Sequence, residues 1–234
     1  MYIFVEEDDL KNFNKEKIDS KTQIIVLFTI SLGTKTDKEI IKKIKEKLQN
    51  YKNHKKAILI KIEKITNSII SNINNISQNF DLTIGQGGLN SINRFFTEQT
   101  KIDLLLDPHT SEFEQKFDFI HHFNSGMNHI LFNLMKEKEI GVLINLTKYI
   151  GNKNLFYKDI GRINQNLKLA RKSKVKTIFA NFYENNNKIR SKDEITQILK
   201  IFDISLQQIT ESEHFFNNHF NNKNDLKKIK VLSK

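Results

Sequence analysis

The chain contains no cysteine and no tryptophan, and a single proline among 234 residues. Without cysteine there is no disulfide framework, no thiolate nucleophile and no cysteine-based zinc site. Long apolar runs are also missing: none approaches the ~18–20 residues that span a bilayer. The opening segment, Met1–Asp9, is short and acidic, unlike a signal or transit peptide. These absences predict a soluble, cytoplasmic protein with no membrane contact.

Acidic residues are the minority charge, 27 against 38 Lys and Arg, which leaves a formal net charge of +11. Such a surface attracts nucleic acid through phosphate contacts and counterion release. Only four of the 38 are arginines (Arg94, Arg162, Arg171 and Arg190). Dispersed lysines also arise as a merely solvated surface, so charge alone leaves both readings open.

What the chain does have is a rhythm of strand-length apolar runs and helical segments. Tyr2–Val5, Gln23–Thr29, Ala57–Ile62, Phe80–Ile84, Ile102–Leu106, Gly141–Leu146 and Lys176–Ala180 are the runs. Segments between them carry apolar residues at spacings of three and four, as in Ile40, Ile41, Ile44 and Leu48. Runs buried on both faces and joined by helices imply parallel crossovers. Seven such units with short connections predict an α/β fold of one domain over 1–222, and favour a TIM-like (β/α) barrel over a doubly wound sheet, the strand order being unreadable from one sequence. A basic tail, 223–234, follows.

Local signals mark some boundaries. Thr36 with Glu39, and Ser191 with Glu194, predict capping boxes at two helix starts. The helix after Thr36 shows a lysine face of Lys38, Lys42, Lys43, Lys45 and Lys47, most simply a solvated one. A helix is expected over Ser125–Lys138, and another ending in Arg171, Lys172 and Lys174, where cations suit the helix dipole. The segment after Pro108 reads as a long loop, and long loops often carry function.

Candidate chemical groups are few. Gly85-Gln86-Gly87-Gly88, between a strand and a helix, could cradle phosphate on its amides, but a tight turn is the more ordinary reading. Arg94 in the next helix suits either bidentate phosphate recognition or a fixed ion pair. Asp107 and His109 at a strand end, with Glu63 at another and His129 as a further member, could begin a metal site. Barrel phosphoesterases that use metals normally carry His-x-His on the first strand, and here that strand has no histidine. His121 and His122 lie in the long loop. No Gly-x-Ser-x-Gly or His-Glu-x-x-His pattern occurs, so no self-sufficient active site is described.

Three stretches in fixed order carry a resemblance over about Phe80–Phe220. The first is Gly87-Gly88 with Asn93-Arg94, then Ile102-Asp103-Leu104-Leu105. The second is Ser125-Gly126-Met127-Asn128-His129, then Gly141-Val142-Leu143-Ile144-Asn145-Leu146. The third is Ile189-Arg190-Ser191-Lys192-Asp193, followed by a phenylalanine-containing close at Glu211–Asn217. Together they resemble the thirty-kilodalton protein subunit of archaeal and eukaryotic ribonuclease P, in archaea ribonuclease P protein component 3. Leu143, Ala180-Asn181 and Lys192 depart from the family's usual Glu, serine-rich pair and proline.

That resemblance implies a barrel related to metal-dependent phosphoesterases, without their metal ligands and with no cofactor bound by the chain. It implies binding of ribonuclease P RNA with a small partner protein, as a heterodimer or heterotetramer among other ribonuclease P proteins. Precursor tRNA would be the substrate, cut by the RNA with its own Mg²⁺ to remove the 5′ leader. Arg94, Lys172 and Arg190 are the expected RNA or partner contacts, with Lys138 and His129 behind them. A metal-dependent phosphoesterase using Asp107, His109 and Glu63 is the alternative.

Overall fold

The computed structural model describes residues 2–10, 13, 22–110, 116–118, 123–151, 153–183, 192–200, 204, 208 and 210–221. Seven parallel strands close into one barrel in chain order. They are β1 (Tyr2–Glu6), β2 (Gln23–Leu32), β3 (Lys55–Ile62), β4 (Leu82–Gln86), β5 (Leu104–Leu106), β6 (Gly141–Asn145) and β7 (Thr177–Tyr183). Closure is made by β1 against β7, with Ile3 opposite Asn181 and Val5 opposite Tyr183.

Helices lie outside the strands: α1 (Asp37–Lys47), α2 (Ile69–Ser77), α3 (Asn90–Gln99), α4 (His129–Glu137), α5 (Leu146–Gly151), α6 (Lys153–Ser173) and α7 (Lys192–Lys200). A further helix, α8, covers 210–221. The apolar runs become strands because alternate residues face two apolar layers. Val26, Phe28, Ile30, Ile58 and Ile60 pack outward with the helices, and Leu27, Leu59, Ile84, Leu104 and Leu143 fill the barrel. Both layers exclude water, so the runs look continuous rather than alternating.

Expected and observed elements differ in instructive places. The helix predicted to begin at Ser125 begins at His129, because Asn128 is the cap: its Oδ1 accepts from the Leu131 amide at 2.9 Å. The capping box at Thr36 does not form. Asp37 takes over, accepting from the backbone amides of Gly33 and Thr34 at 3.1 and 2.9 Å. These bonds hold its carboxyl below the usual range, against the opposing effect of burial. Leu146, expected in a strand, opens the short helix α5. Ser191 of the second box and the 223–234 tail lie outside the described residues.

The lower mouth of the barrel, at the strand N-termini, is stoppered by α8. Phe216 and Phe220 join the interior cluster, and the Phe216 ring lies 4.8 Å from Tyr2 and 5.9 Å from Phe4. The Tyr2 hydroxyl donates to Asn217 Oδ1 at 2.6 Å, and Ser212 Oγ donates to the Thr177 carbonyl at 3.2 Å. The upper mouth, at the strand C-termini, is left to the loops.

Candidate nucleic-acid interface

Around the upper mouth, the loop after β4 and both ends of the β5–α4 connection meet on one buried side chain. Asn93 of α3 is fully buried. Its Oδ1 accepts from the Gly88 amide at 3.0 Å, and its Nδ2 donates to the carbonyls of Pro108 at 2.8 Å and Gly126 at 3.0 Å. One carboxamide thus ties the loops after β4 and β5 to the entry of α4. Gly85 and Gln86 close β4, and Gly87-Gly88 form the turn that permits this, their amides spent on the Leu106 carbonyl and Asn93 Oδ1 rather than free for phosphate. A Cβ on Gly87 would sit 2.6 Å from Asn93 Oδ1, and Gly88 has φ of +127°.

The long loop after β5 is pinned on its other side by α6. Arg162, 4% exposed, donates to Asp118 through Nε at 3.0 Å and Nη2 at 2.7 Å, to Asp159 through Nη1 at 3.1 Å, and to the Lys116 carbonyl. Gln165 exchanges hydrogen bonds with both backbone groups of Phe123, and Asn166 donates to the Ser125 carbonyl. Buried and fully occupied, Arg162 has a structural role, which its rarity in the sequence did not disclose.

Asp107 and His109 belong to this buried frame. Asp107 sits at φ +43° and accepts from the Asn145 amide at 3.0 Å, linking β5 to β6. His109 is wholly buried, with Nε2 2.7 Å from the Tyr149 hydroxyl and Nδ1 without a hydrogen-bond partner among the described residues. Burial pushes its pKa well below the ordinary value, and Lys116, Lys148 and Arg162 nearby push the same way. Three cations around the ring are the wrong surroundings for a divalent metal. Glu63 follows β3, two strands from β5, and is exposed. Among the described residues no three His, Asp or Glu side chains gather as a metal would need. The alternative metal set of Asp107, His109 and Glu63 is therefore not assembled, and exposed His129 does not complete it.

The expected RNA contacts divide between the two ends of the barrel. Arg94 and His129 are exposed near the upper rim. Arg94 Nε donates to Glu98 at 2.7 Å, and its side chain stays 70% exposed, so an ion pair and an open guanidinium coexist. Lys172 is exposed near the end of α6, at the lower rim. Lys138 also lies low, where its ammonium caps α3 by donating to the Thr97 and Glu98 carbonyls at 2.8 and 2.5 Å. That engagement accounts for Lys138 without RNA. Arg190, His121 and His122 lie outside the described residues.

Two surface features remain. A lower cleft of about 500 Å³ is lined by Lys136, Lys138, Lys174 and Lys176 but also by Asp103 and Glu139. An upper groove of about 310 Å³ runs between the starts of α3 and α4, lined by Asn90, Arg94, Asn124 and Asn128 over Met127 and Leu131. Among the described residues its only charged lining group is cationic, whereas the lower cleft is mixed. The amides escaped the sequence reading because asparagine is common throughout this chain and no spacing sets these three apart.

No family model and no curated protein matches the chain. Among solved structures, 91% of it superposes on 88% of a chain in a cryo-EM structure of archaeal ribonuclease P with mature tRNA, at a TM-score of 0.61 and 22% identity. A crystal structure of an uncharacterised protein aligns over 79% of this chain and 47% of its own, at a TM-score of 0.42 and 8% identity. The first likeness is one of fold: nearly the whole barrel is shared.

Proposed function

We propose that this chain is a protein subunit of ribonuclease P. In that role it binds the ribonuclease P RNA with a small partner protein and supports removal of 5′ leaders from precursor tRNA. The observation that carries the reading is the shared fold along 91% of the chain with a chain of an archaeal ribonuclease P–tRNA structure. The net charge of +11 agrees with a polyanionic partner. Among the described residues, Asn93, Asp107 and Arg162 near the upper mouth are engaged in holding loops together. In this reading hydrolysis belongs to the RNA and its Mg²⁺, and the protein supplies shape and positive charge.

The test is precursor-tRNA cleavage by the cognate ribonuclease P RNA at modest Mg²⁺, with and without this chain and the small partner. Cleavage that requires both proteins is expected. Arg94→Ala is expected to weaken RNA binding by ~1–3 kcal/mol if the guanidinium makes a charge-assisted contact. Cleavage that is indifferent to the wild-type chain refutes the reading.

A further inference from the structure

The geometry points to the upper groove as a binding site for one unpaired pyrimidine nucleotide of an RNA strand, with Arg94 on its phosphate and the three asparagine amides on its base edge. This deepens the ribonuclease P reading and rests on it for the RNA's identity, though not for the chemistry of the groove.

Size sets the first limit. About 310 Å³ is at the small end of the ~300–1,000 Å³ typical of ligand sites. It accepts one nucleotide and not a duplex. The floor is apolar, from Met127 and Leu131, each less than 10% exposed, as a base face requires. The rim is polar, and among the described residues its one charge is the guanidinium of Arg94, whose terminal nitrogens have no partner there.

The amides then select the base. Asn128 spends its Oδ1 on the Leu131 amide, which leaves its Nδ2 as a donor. Asn90 Nδ2 lies 3.4 Å from Asn124 Oδ1, so this pair retains one carbonyl and one amino group for a ligand. That balance holds whichever of the two amides is the donor. The groove therefore presents two donors and one acceptor. The Watson–Crick edges of uracil and cytosine each carry two acceptors and one donor, guanine carries the reverse, and adenine has one of each. Such edges are free only in unpaired nucleotides, the usual targets of sequence-selective RNA recognition.

The site is also held ready. Asn93, beside Arg94, clamps Gly88, Pro108 and Gly126, and Gln165 and Asn166 hold Phe123 and Ser125 on either side of Asn124. A preformed groove orders little on binding and so retains more of its contact energy.

The experiment titrates the full chain with fluorescent single-stranded U12, C12 and A12 and with a mixed-sequence duplex, by anisotropy across a salt series. Wild type is expected to prefer U12 or C12 to A12 by at least about fivefold. Asn90→Ala/Asn124→Ala is expected to bring the three single strands within about twofold of one another, with the salt dependence unchanged. Arg94→Ala is expected to weaken all three together and to reduce the slope of log affinity against log salt by ~0.7. A wild-type chain without pyrimidine preference overturns the proposal, as does an amide double variant that keeps the preference. Loss of small-partner association with RNA selectivity intact makes the groove a protein interface, and also overturns it. If the wild-type chain fails to support cleavage yet shows the selectivity, the ribonuclease P reading falls and the groove stands.

Discussion

Asn93→Leu keeps the branched skeleton of the side chain, with bulkier methyl groups, and removes its three hydrogen bonds. The Pro108 carbonyl retains a donor in Lys116 Nζ at 3.1 Å. The Gly88 amide and the Gly126 carbonyl lose the partner that Asn93 provides. A buried backbone group left unsatisfied costs ~1–3 kcal/mol, so the pair predicts a loss of about 4 kcal/mol. That is a large fraction of the ~5–15 kcal/mol that holds a domain together. At ~2–4 °C per kcal/mol for a chain of this size, the melting temperature should fall by roughly 8–16 °C. Thermal unfolding followed by circular dichroism at constant pH measures it. Asn93→Asp is the companion. A carboxylate there can still accept from Gly88 but faces two carbonyl oxygens, so it binds its proton more tightly folded than unfolded. The folded state then holds more protons above the unfolded value of ~3.9, and the variant should gain stability as pH falls towards 4. A drop below ~2 °C for Asn93→Leu would show that the two loops do not depend on this side chain.

Three further outcomes follow from the same geometry. Because His109 is held neutral with a depressed pKa, the unfolded chain binds its proton first, so this contribution to stability is lost as pH falls below ~6.5. Urea midpoints between pH 7.5 and 5 should show that slope, and His109→Phe should flatten it. Lys138→Met should destabilise by about 1 kcal/mol through the lost cap on α3 while leaving RNA affinity within about twofold, measured by denaturation and by anisotropy. Phe216→Ala should cost ~3–5 kcal/mol, because the ring is buried in the lower mouth against Tyr2 and Phe4. An effect under 1 kcal/mol there would mean that α8 is not a structural stopper.

Strand number and parallel sense were legible in the sequence because the strands are buried on both faces and advertise themselves as unbroken apolar runs, whereas closure of β1 on β7 was not, since an open parallel sheet shows the same runs. Boundaries were less so: β5 shrinks to Leu104–Leu106, and β2 extends to Leu32, where pairing with Ile62 continues it. The cap at Asp37 was hidden because its partners, Gly33 and Thr34, precede the helix in an irregular turn. For the site, Arg94 stood out by scarcity and is indeed exposed on a groove rim. Arg162 was equally scarce and is buried, since one sequence does not distinguish a guanidinium that meets solvent from one that meets two aspartates. Lys138 and Lys172 followed helix-end patterns that say where a cation sits along its helix, not which mouth of the barrel it serves.

The bond between Tyr2 and Asn217 joins residues 215 positions apart, and that separation has a bearing on synthesis. At ~5–20 residues per second, β1 leaves the ribosome roughly 10–40 s before α8 exists. Throughout that interval Tyr2 and Phe4 lack their aromatic partners Phe216 and Phe220. Contacts of such range are slow to form in any case. A chain that ends before residue 210 should thus leave the apolar rings of Tyr2 and Phe4 uncovered, a surface on which a chaperone would act.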